Sequence, residues 1–564
     1  MIGWRTYLKS WMTTTMSDYY DLGHHTRPIA TNSNEAQIWF DRGLLWCYGY
    51  NHDEAVRCFQ KAATCDPTCA MAQWGIAYAA GPNYNKQWTA FDATDLQNSL
   101  GLACAATERA LALLRNASPV EQDLIRPLAK RYPVNDPGTV TPIWNDDYAA
   151  AMRGVYSAHK DDLDIAALFA EAIMNRTPWQ LWDIKSGKPA AGADTAEAIA
   201  VLERAMRTEA GMRHPGVLHM YLHLMEMSPH PERALRAGNA LKALVPDAGH
   251  LIHMPTHIDV LCGRYKDVIE RNTEATIADQ KYLLREGAIN FYTLYRCHNI
   301  HFIIYGAMFS GQYAPAVAAA NQMIATIPEE LLRLESPPMA DWLEAFVPTK
   351  LHVLIRFGKW QEILAESLPA DQKLYCVTTA MLHYAKAVAY AATSNVPAAE
   401  EQAKLFEAAV TRVPESRSLF NNTSLDILKV PAEMLRGEIE YRKGNYKQAF
   451  AHLRDSVEIY DSMRYDEPWG WMQPTRHALG ALLLEQGHVE EAEAVYRADL
   501  GLDNSLARAC QHPDNIWSLH GYHECLLRLR KHTEASAIRQ RLDLATAQAD
   551  VPIKSSCFCR MSAA

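Results

Sequence analysis

Apolar positions recur three and four residues apart through long stretches rich in Ala, Leu, Glu, Gln and Arg, while alternating β-branched runs are few. That pattern predicts an all-α protein. Its construction is clearest over residues 35–70. Trp39, Gly43 and Trp46 fall on one helix, a turn follows at 49–51, and Ala55, Phe59 and Ala62 stripe a second helix that stops at Asp66-Pro67. Gly43 and Ala55 let the two helices approach, and the large rings fill the space between them. A turn of the form Gly, any residue, aromatic recurs at Gly263-Arg-Tyr265, Gly311-Gln-Tyr313, Gly358-Lys-Trp360 and Gly444-Asn-Tyr446; Gly487-His-Val489 lacks the ring. Ala316, Ala449 and Ala492 lie five residues after their turn glycines, with Val268 and Ile363 at the same place in the other two.

These hairpins resemble tetratricopeptide repeats. The resemblance implies a right-handed superhelix of helical hairpins with the first helices lining a concave groove. Over residues 20–540 the chain is also similar to a group of bacterial and fungal tetratricopeptide-repeat-like proteins. The segments that carry this likeness are Asn51-His-Asp-Glu-Ala55 with Phe59, Ala70-Met-Ala-Gln-Trp74-Gly75, Gly81-Pro-Asn-Tyr-Asn85, His253-Met-Pro-Thr-His257-Ile258 and His298-Asn-Ile-His301-Phe302. The last two depart from ordinary repeat consensus and suggest a site of their own. The expected organisation is an N-terminal segment 1–34, repeats over 35–131, helices with long loops over 132–213, His-rich central repeats over 214–330, further repeats over 331–545 and a tail 546–564. Pro/Gly-rich stretches at 132–144 and 184–195 are expected to loop over one face of the solenoid.

Charge and composition narrow the function. With 55 Lys+Arg against 65 Asp+Glu the formal charge is −10, so no basic stripe exists to neutralise phosphates and nucleic acid is not an expected partner. Apolar runs fall well short of the roughly 20 residues that a membrane span needs. Residues 1–16 lack the apolar centre of a secretory signal, so the expected address is cytoplasmic. Twelve cysteines are few for a disulfide scaffold of 564 residues and read as reduced thiols. The close pairs Cys65/Cys69 and Cys557/Cys559 have no second pair at zinc-ribbon spacing, and Cys557 and Cys559 are expected on a frayed terminus.

The histidines carry the chemistry. Nine of 22 (His214, His219, His223, His230, His250, His253, His257, His298 and His301) fall within 88 residues, where uniform scatter would place about three or four. His219/His223 and His253/His257 are each four apart, a spacing that puts two imidazoles on one helix face. Each member of the second pair follows its counterpart by 34 residues, one tetratricopeptide period. Equivalent helices of adjacent hairpins lie about 8–10 Å apart, so the two pairs can meet at one metal. Pro255 bears on this: if a helix begins there, His253 lies outside it and the shared face is lost. His298 and His301 from the next hairpin, or Glu226 on the His219/His223 face, would complete the ligand set. A carboxylate among imidazoles suits iron, and an all-imidazole set suits zinc, copper or nickel.

Further candidates for substrate contact are Glu171, Asn175 and Trp179, Asn83 and Asn85 in the turn after Gly81, and Trp471 with His477. His24 and His25 are placed to fold across the concave face. Neither pair has the Glu that follows the first His in HExxH, and no Walker loop, dinucleotide fingerprint or GxSxG is present. Two functions follow. One is a metalloenzyme acting on a small organic substrate, with oxidative chemistry as the first expectation and a closed pocket under the loops 132–144 and 184–195. The other is a non-catalytic scaffold holding a peptide or protein segment in an exposed groove.

Overall fold

The computed structural model describes residues 19–560; residues 1–16, read above for a secretory signal, lie outside them. The principal helices pair as consecutive antiparallel hairpins. They are α1 Asn34–Tyr48 with α2 His52–Cys65, α3 Ala70–Ala80 with α4 Ala93–Ala112, α5 Ile143–Ala158, α6 Leu163–Met174 with α7 Thr195–Ala205, and α8 Pro215–Glu226 with α9 Leu235–Leu241. The next are α10 Gly249–His253 and α11 Pro255–Leu261 against α12 Tyr265–Glu286, then α13 Tyr292–Phe309 with α14 Tyr313–Thr326 and α15 Thr349–Arg356 with α16 Trp360–Ala365. The series closes with α17 Cys376–Ala392 and α18 Val396–Val410, α19 Ser424–Arg442 and α20 Tyr446–Ser462, α21 Thr475–Glu485 and α22 Val489–Asp499, and α23 Ile516–Arg528 and α24 His532–Gln548. This is the expected all-α, tetratricopeptide-like stack. Two small antiparallel ribbons interrupt it: β1 Trp182–Asp183 with β2 Lys188–Pro189, and β3 Ser418–Leu419 with β4 Asn422–Thr423.

The turn signature works as its composition predicts. Gly263, Gly311, Gly358, Gly444 and Gly487 all take φ between +63° and +81°, a conformation that costs other residues about 1–2 kcal/mol. The aromatic two positions later opens the second helix in each of the four turns that have one. In the first hairpin Tyr50, not glycine, takes the left-handed position, with φ +53°.

Close packing also follows the sequence. The Phe59 ring lies between α1 and α3, where a Cβ on Gly43 or Gly75 would approach it to 2.7 or 2.3 Å. Burying such a ring is worth about 2–3 kcal/mol, and a methyl group on either glycine would expel it. One apolar core runs through the whole stack. Loop 132–144 packs back locally, with the Tyr132 hydroxyl donating to the Ala77 carbonyl at 2.8 Å and Trp144 edge-on to Trp88. Loop 184–195 instead continues from the β1–β2 ribbon toward the His-rich hairpins.

Candidate metal centre

The His-rich helices α8, α10, α11 and α13 belong to three successive hairpins, and their first-helix faces look at one another. His219 and His223 from α8 meet His250 from α10. His253, His257 and His298, from α10, α11 and α13, form a second triad beside the first. In each triad one nitrogen per ring lies within 4.8 Å of the others. The triads adjoin: the His250 and His253 ring centres are 5.8 Å apart, and those of His223 and His257 are 6.0 Å apart.

A helix does begin at Pro255, yet His253 and His257 converge, their Nε2 atoms 2.8 Å apart. Met254 keeps helical angles (φ −50°, ψ −37°), so the chain path continues through the break and the shared face survives. Proline at the first helical position surrenders no hydrogen bond that the helix needs.

Hydrogen bonds behind the rings set their tautomers. His219 donates through Nδ1 to the Tyr48 carbonyl (2.6 Å), His253 to Asn272 Oδ1 (2.7 Å), and His223 and His257 to Glu226 Oε1 and Oε2 (3.0 and 2.6 Å). Asn272 is oriented as an acceptor because its amide nitrogen donates to Thr256 and to the Val268 carbonyl. Four Nε2 lone pairs are thereby turned inward. The His253 and His257 lone pairs oppose each other, His219 Nε2 faces His250 Nε2 at 3.2 Å, His298 Nε2 lies 3.4 Å from His257 Nε2, and His223 Nε2 has no partner. All six rings are buried. Burial, reinforced by the neighbouring imidazoles, holds His219, His223, His250, His253 and His298 far below the usual imidazole pKa and therefore neutral, the form that binds metal.

Glu226, expected as a ligand from its position on the helix, stands behind the rings, and with His257 and Glu467 it forms a third buried group able to hold a metal ion. Its two oxygens are occupied by Nδ1 of His223 and His257, so one carboxylate ties the two triads together from behind. Burial pushes its pKa up to about 8, so at neutral pH without a bound cation it retains a proton, and a cation on the rings favours the carboxylate that accepts from both. Glu467, from the loop between α20 and α21, reaches the same His257 Nδ1 at 2.9 Å, and burial raises it well above the ordinary carboxyl range. Tyr465 donates to its other oxygen.

Three aromatic residues in the left-handed backbone region wall the rings. Tyr50 (φ +53°) stacks on His223 and His250, Trp179 (φ +59°) stands edge-on to His223, and Phe420 (φ +50°) stands edge-on to His298. Such conformations cost about 1–3 kcal/mol each and persist where the surroundings over-determine them. A cavity of about 850 Å³ adjoins this wall, bounded by His257, His298, Tyr295, Trp179, Phe420 and Glu467. Asn85 and part of loop 184–195 line it too, whereas loop 132–144 does not.

The remaining candidates lie elsewhere. His301, expected beside His298, leans from α13 toward the next hairpin, edge-on to Phe346, with neither ring nitrogen hydrogen-bonded. The 60° offset between residues three apart suffices to put the two rings on opposite sides of the helix ridge. Glu171, on α6, is buried and accepts from the Tyr78 hydroxyl, and Asn175 ends that helix; neither lines the cavity. Asn83 closes its own turn, accepting from the Asn85 and Lys86 amides at 2.9 and 2.8 Å. Trp471 packs on His352 and Tyr384, and His477 pairs with Asp499 at 3.0 Å in a separate buried cluster. His25 joins His214 on Asp164, which also accepts from Arg27 and Tyr48; His24 is exposed.

Sequence reasoning counted His250 but did not assign it as a ligand, although it precedes His253 by three residues. Tyr465, Tyr50 and Phe420 were not singled out as site residues, and Phe420 carries no local signal for it; Glu467 opens the aromatic-rich segment 467–471, which the sequence does mark as a candidate lining of the groove.

No family model matches the chain, and no curated protein does. Among solved structures it is similar to a structure of Naa15/Naa10 bound to HypK-THB, at 13% identity over 91% of this chain and 71% of that one, with a TM-score of 0.21. It is also similar to a monomeric IFIT1 mutant with Gppp-AAAA, at 10% identity over 84% and 90%, with a TM-score of 0.32.

Proposed function

We propose that this tetratricopeptide-like repeat protein is a metalloprotein that holds two transition-metal ions, one per histidine triad, and acts on a small organic substrate in the adjoining cavity. The observation that supports this reading best is the convergence of six buried imidazoles in two adjoining triads, four of them backed at Nδ1 by an acceptor so that their Nε2 atoms face inward, with the His253 and His257 Nε2 atoms in contact. Two lone pairs 2.8 Å apart repel unless a cation shares them, and a buried lone pair without a partner costs about 1–3 kcal/mol. With Glu226 behind the rings the ligand set is all imidazole, which favours copper, zinc or nickel over iron. Bound there, such an ion would supply a Lewis acid or a redox centre at the cavity edge. His257 and His298 present that edge, Trp179 and Phe420 offer flat faces to an organic ligand, and buried Glu467 is placed to hold or release a proton beside it.

The alternative, a non-catalytic scaffold for a peptide or protein segment, is supported by the hairpin architecture but leaves the inward lone pairs unexplained. Elemental mass spectrometry of tag-free protein separates the two. The metal reading expects close to two ions per chain, lost when His219→Ala and His257→Ala are combined. Metal-free protein that cannot be loaded would leave only the scaffold.

A further inference from the structure

The segment expected to fray is instead built into the repeats. Ser555, Ser556, Cys559 and Arg560 are buried, and Cys557 and Cys559 form a disulfide. The segment enters beside Gly311, where Asp550 accepts from the Tyr313 and Ala314 amides at 2.6 and 2.8 Å. It then crosses the ends of α15, α19, α21, α22 and α23 and closes in a turn, the Arg560 amide donating to the Cys557 carbonyl at 3.2 Å.

Ser555, Ser556, Cys559 and Arg560 face the framework, with Cys557 and Phe558 half-buried at the turn between them. Ser556 is held on both sides: its carbonyl accepts from Arg356, and its hydroxyl donates to the His477 carbonyl at 2.8 Å and lies 2.5 Å from the Tyr496 hydroxyl. Phe558 covers Gly358, where a Cβ would come within 2.9 Å of it, and stands edge-on to Trp517. Arg560 pairs with Glu524 at 2.7 Å, and the preceding Cys559 carbonyl accepts from Arg442, which Glu438 clamps. The framework side is charged and is buried beneath the segment. Arg356 is 5% exposed, lies over the Trp517 ring at 3.8 Å, and has no carboxylate within ion-pair distance among the described residues. Burial lowers its pKa to about 9. Its polar contacts are the Ser556 carbonyl and His477 Nδ1. A buried guanidinium of this kind needs an acceptor, and a main-chain carbonyl is what the segment brings.

We propose that the ends of these hairpins form a peptide-binding site, filled in this chain by its own segment Ser555–Arg560. Its ligand class is a short turn-forming peptide with a small residue, an aromatic anchor two positions on and a basic residue two beyond that. Arg356 and Arg442 read main-chain carbonyls, the Gly358–Trp517 shelf takes the ring, and Glu524 takes the cation. The site is independent of the histidine centre, and its test does not involve metal.

The test uses a labelled, disulfide-closed peptide of residues 554–560 and fluorescence anisotropy. A chain ending at residue 553 is expected to bind it saturably, and the full chain, whose own segment competes at about millimolar effective concentration, at least about 30-fold more weakly. Phe558→Ala or Arg560→Ala in the peptide should each weaken binding about tenfold or more. A shortened chain with a native melting transition that does not bind, or that binds all three peptides equally, overturns the proposal. If the shortened chain does not fold, the full chain carrying Phe558→Ala and Arg560→Ala decides. It should capture the unaltered peptide about tenfold better than the parent chain, and equal or absent capture by both refutes the site.

Discussion

Replacing Glu226 by glutamine probes the one group that organises both triads. The carboxylate accepts from Nδ1 of His223 and of His257 with separate oxygens, 3.0 and 2.6 Å away. In Glu226→Gln one of those acceptors becomes an amide donor of nearly the same size. The facing imidazole must then accept at Nδ1 and move its proton to Nε2, which removes one inward lone pair from one triad. Loss of an outer-shell partner typically costs about 10–100-fold in metal affinity, which is about 1.4–2.7 kcal/mol. The other triad keeps its tautomers. The expected result is metal content falling from two ions toward one under chelator competition, with the circular dichroism spectrum and unfolding cooperativity unchanged. Elemental mass spectrometry across a chelator series reads the outcome. Retention of both ions at wild-type affinity would refute the view that Glu226 sets the tautomers, and loss of both with unfolding would show that it acts on the fold instead.

Other expectations rest on single positions. Tyr50→Ala and Tyr50→Gly both delete a ring packed on the histidines, at about 3–5 kcal/mol, but glycine recovers about 1 kcal/mol of left-handed strain. Urea unfolding should therefore rank wild type above Gly above Ala, and Ala equal to or above Gly would deny the strain. Gly263→Ala, at φ +72° with a Cβ 2.4 Å from the Pro513 carbonyl, should destabilise by more than about 2 kcal/mol. Gly287→Ala meets no neighbour, but at φ +75° and ψ −172° it enters a backbone region essentially reserved for glycine and should cost about 1–3 kcal/mol in the same assay, all of it backbone strain. Burial raises Asp279 to about 6 from 3.8, so the folded state binds a proton that the unfolded state has lost. Its contribution to stability is thus largest at low pH and declines from about pH 4 to 6, by an amount on the order of 3 kcal/mol. In Asp279→Asn this decline should vanish from a pH series of unfolding midpoints, since Asn299, whose Oδ1 is unpaired, can turn to accept from the new amide.

What was legible in the sequence followed local rules. A glycine before an aromatic marks a left-handed turn entering a helix, and those turns are where the chain places them. The two histidine pairs lie side by side because a 34-residue repeat returns equivalent positions to adjacent hairpins, but they fall in separate triads rather than at one ion, with His250 and His298 as the third ring of each. Pro255 looked like an interruption because spacing alone does not show that Met254 keeps helical angles. His301 was misplaced because a shared face at three residues is only approximate near a ridge. Glu467 and Phe420 reach the rings from loops more than a hundred residues away in sequence; the aromatic-rich run 467–471 marks the first as a candidate for the groove but not for these rings, and no local pattern announces the second. The same holds for 555–560, whose short polar composition reads as a loose end until the buried arginines that receive it are seen. Glu226 lies on the expected face, yet it meets Nδ1 of His223 and His257, because periodicity locates a side chain without saying which atom of its neighbour it meets.

The most direct test of the metal centre is X-ray absorption at the metal edge of the loaded protein. The structure predicts about three imidazole nitrogens per ion near 2.0–2.1 Å, with the outer-shell scattering of histidine rings. A shell dominated by sulfur or carboxylate oxygen, or no stoichiometric metal to measure, would contradict it.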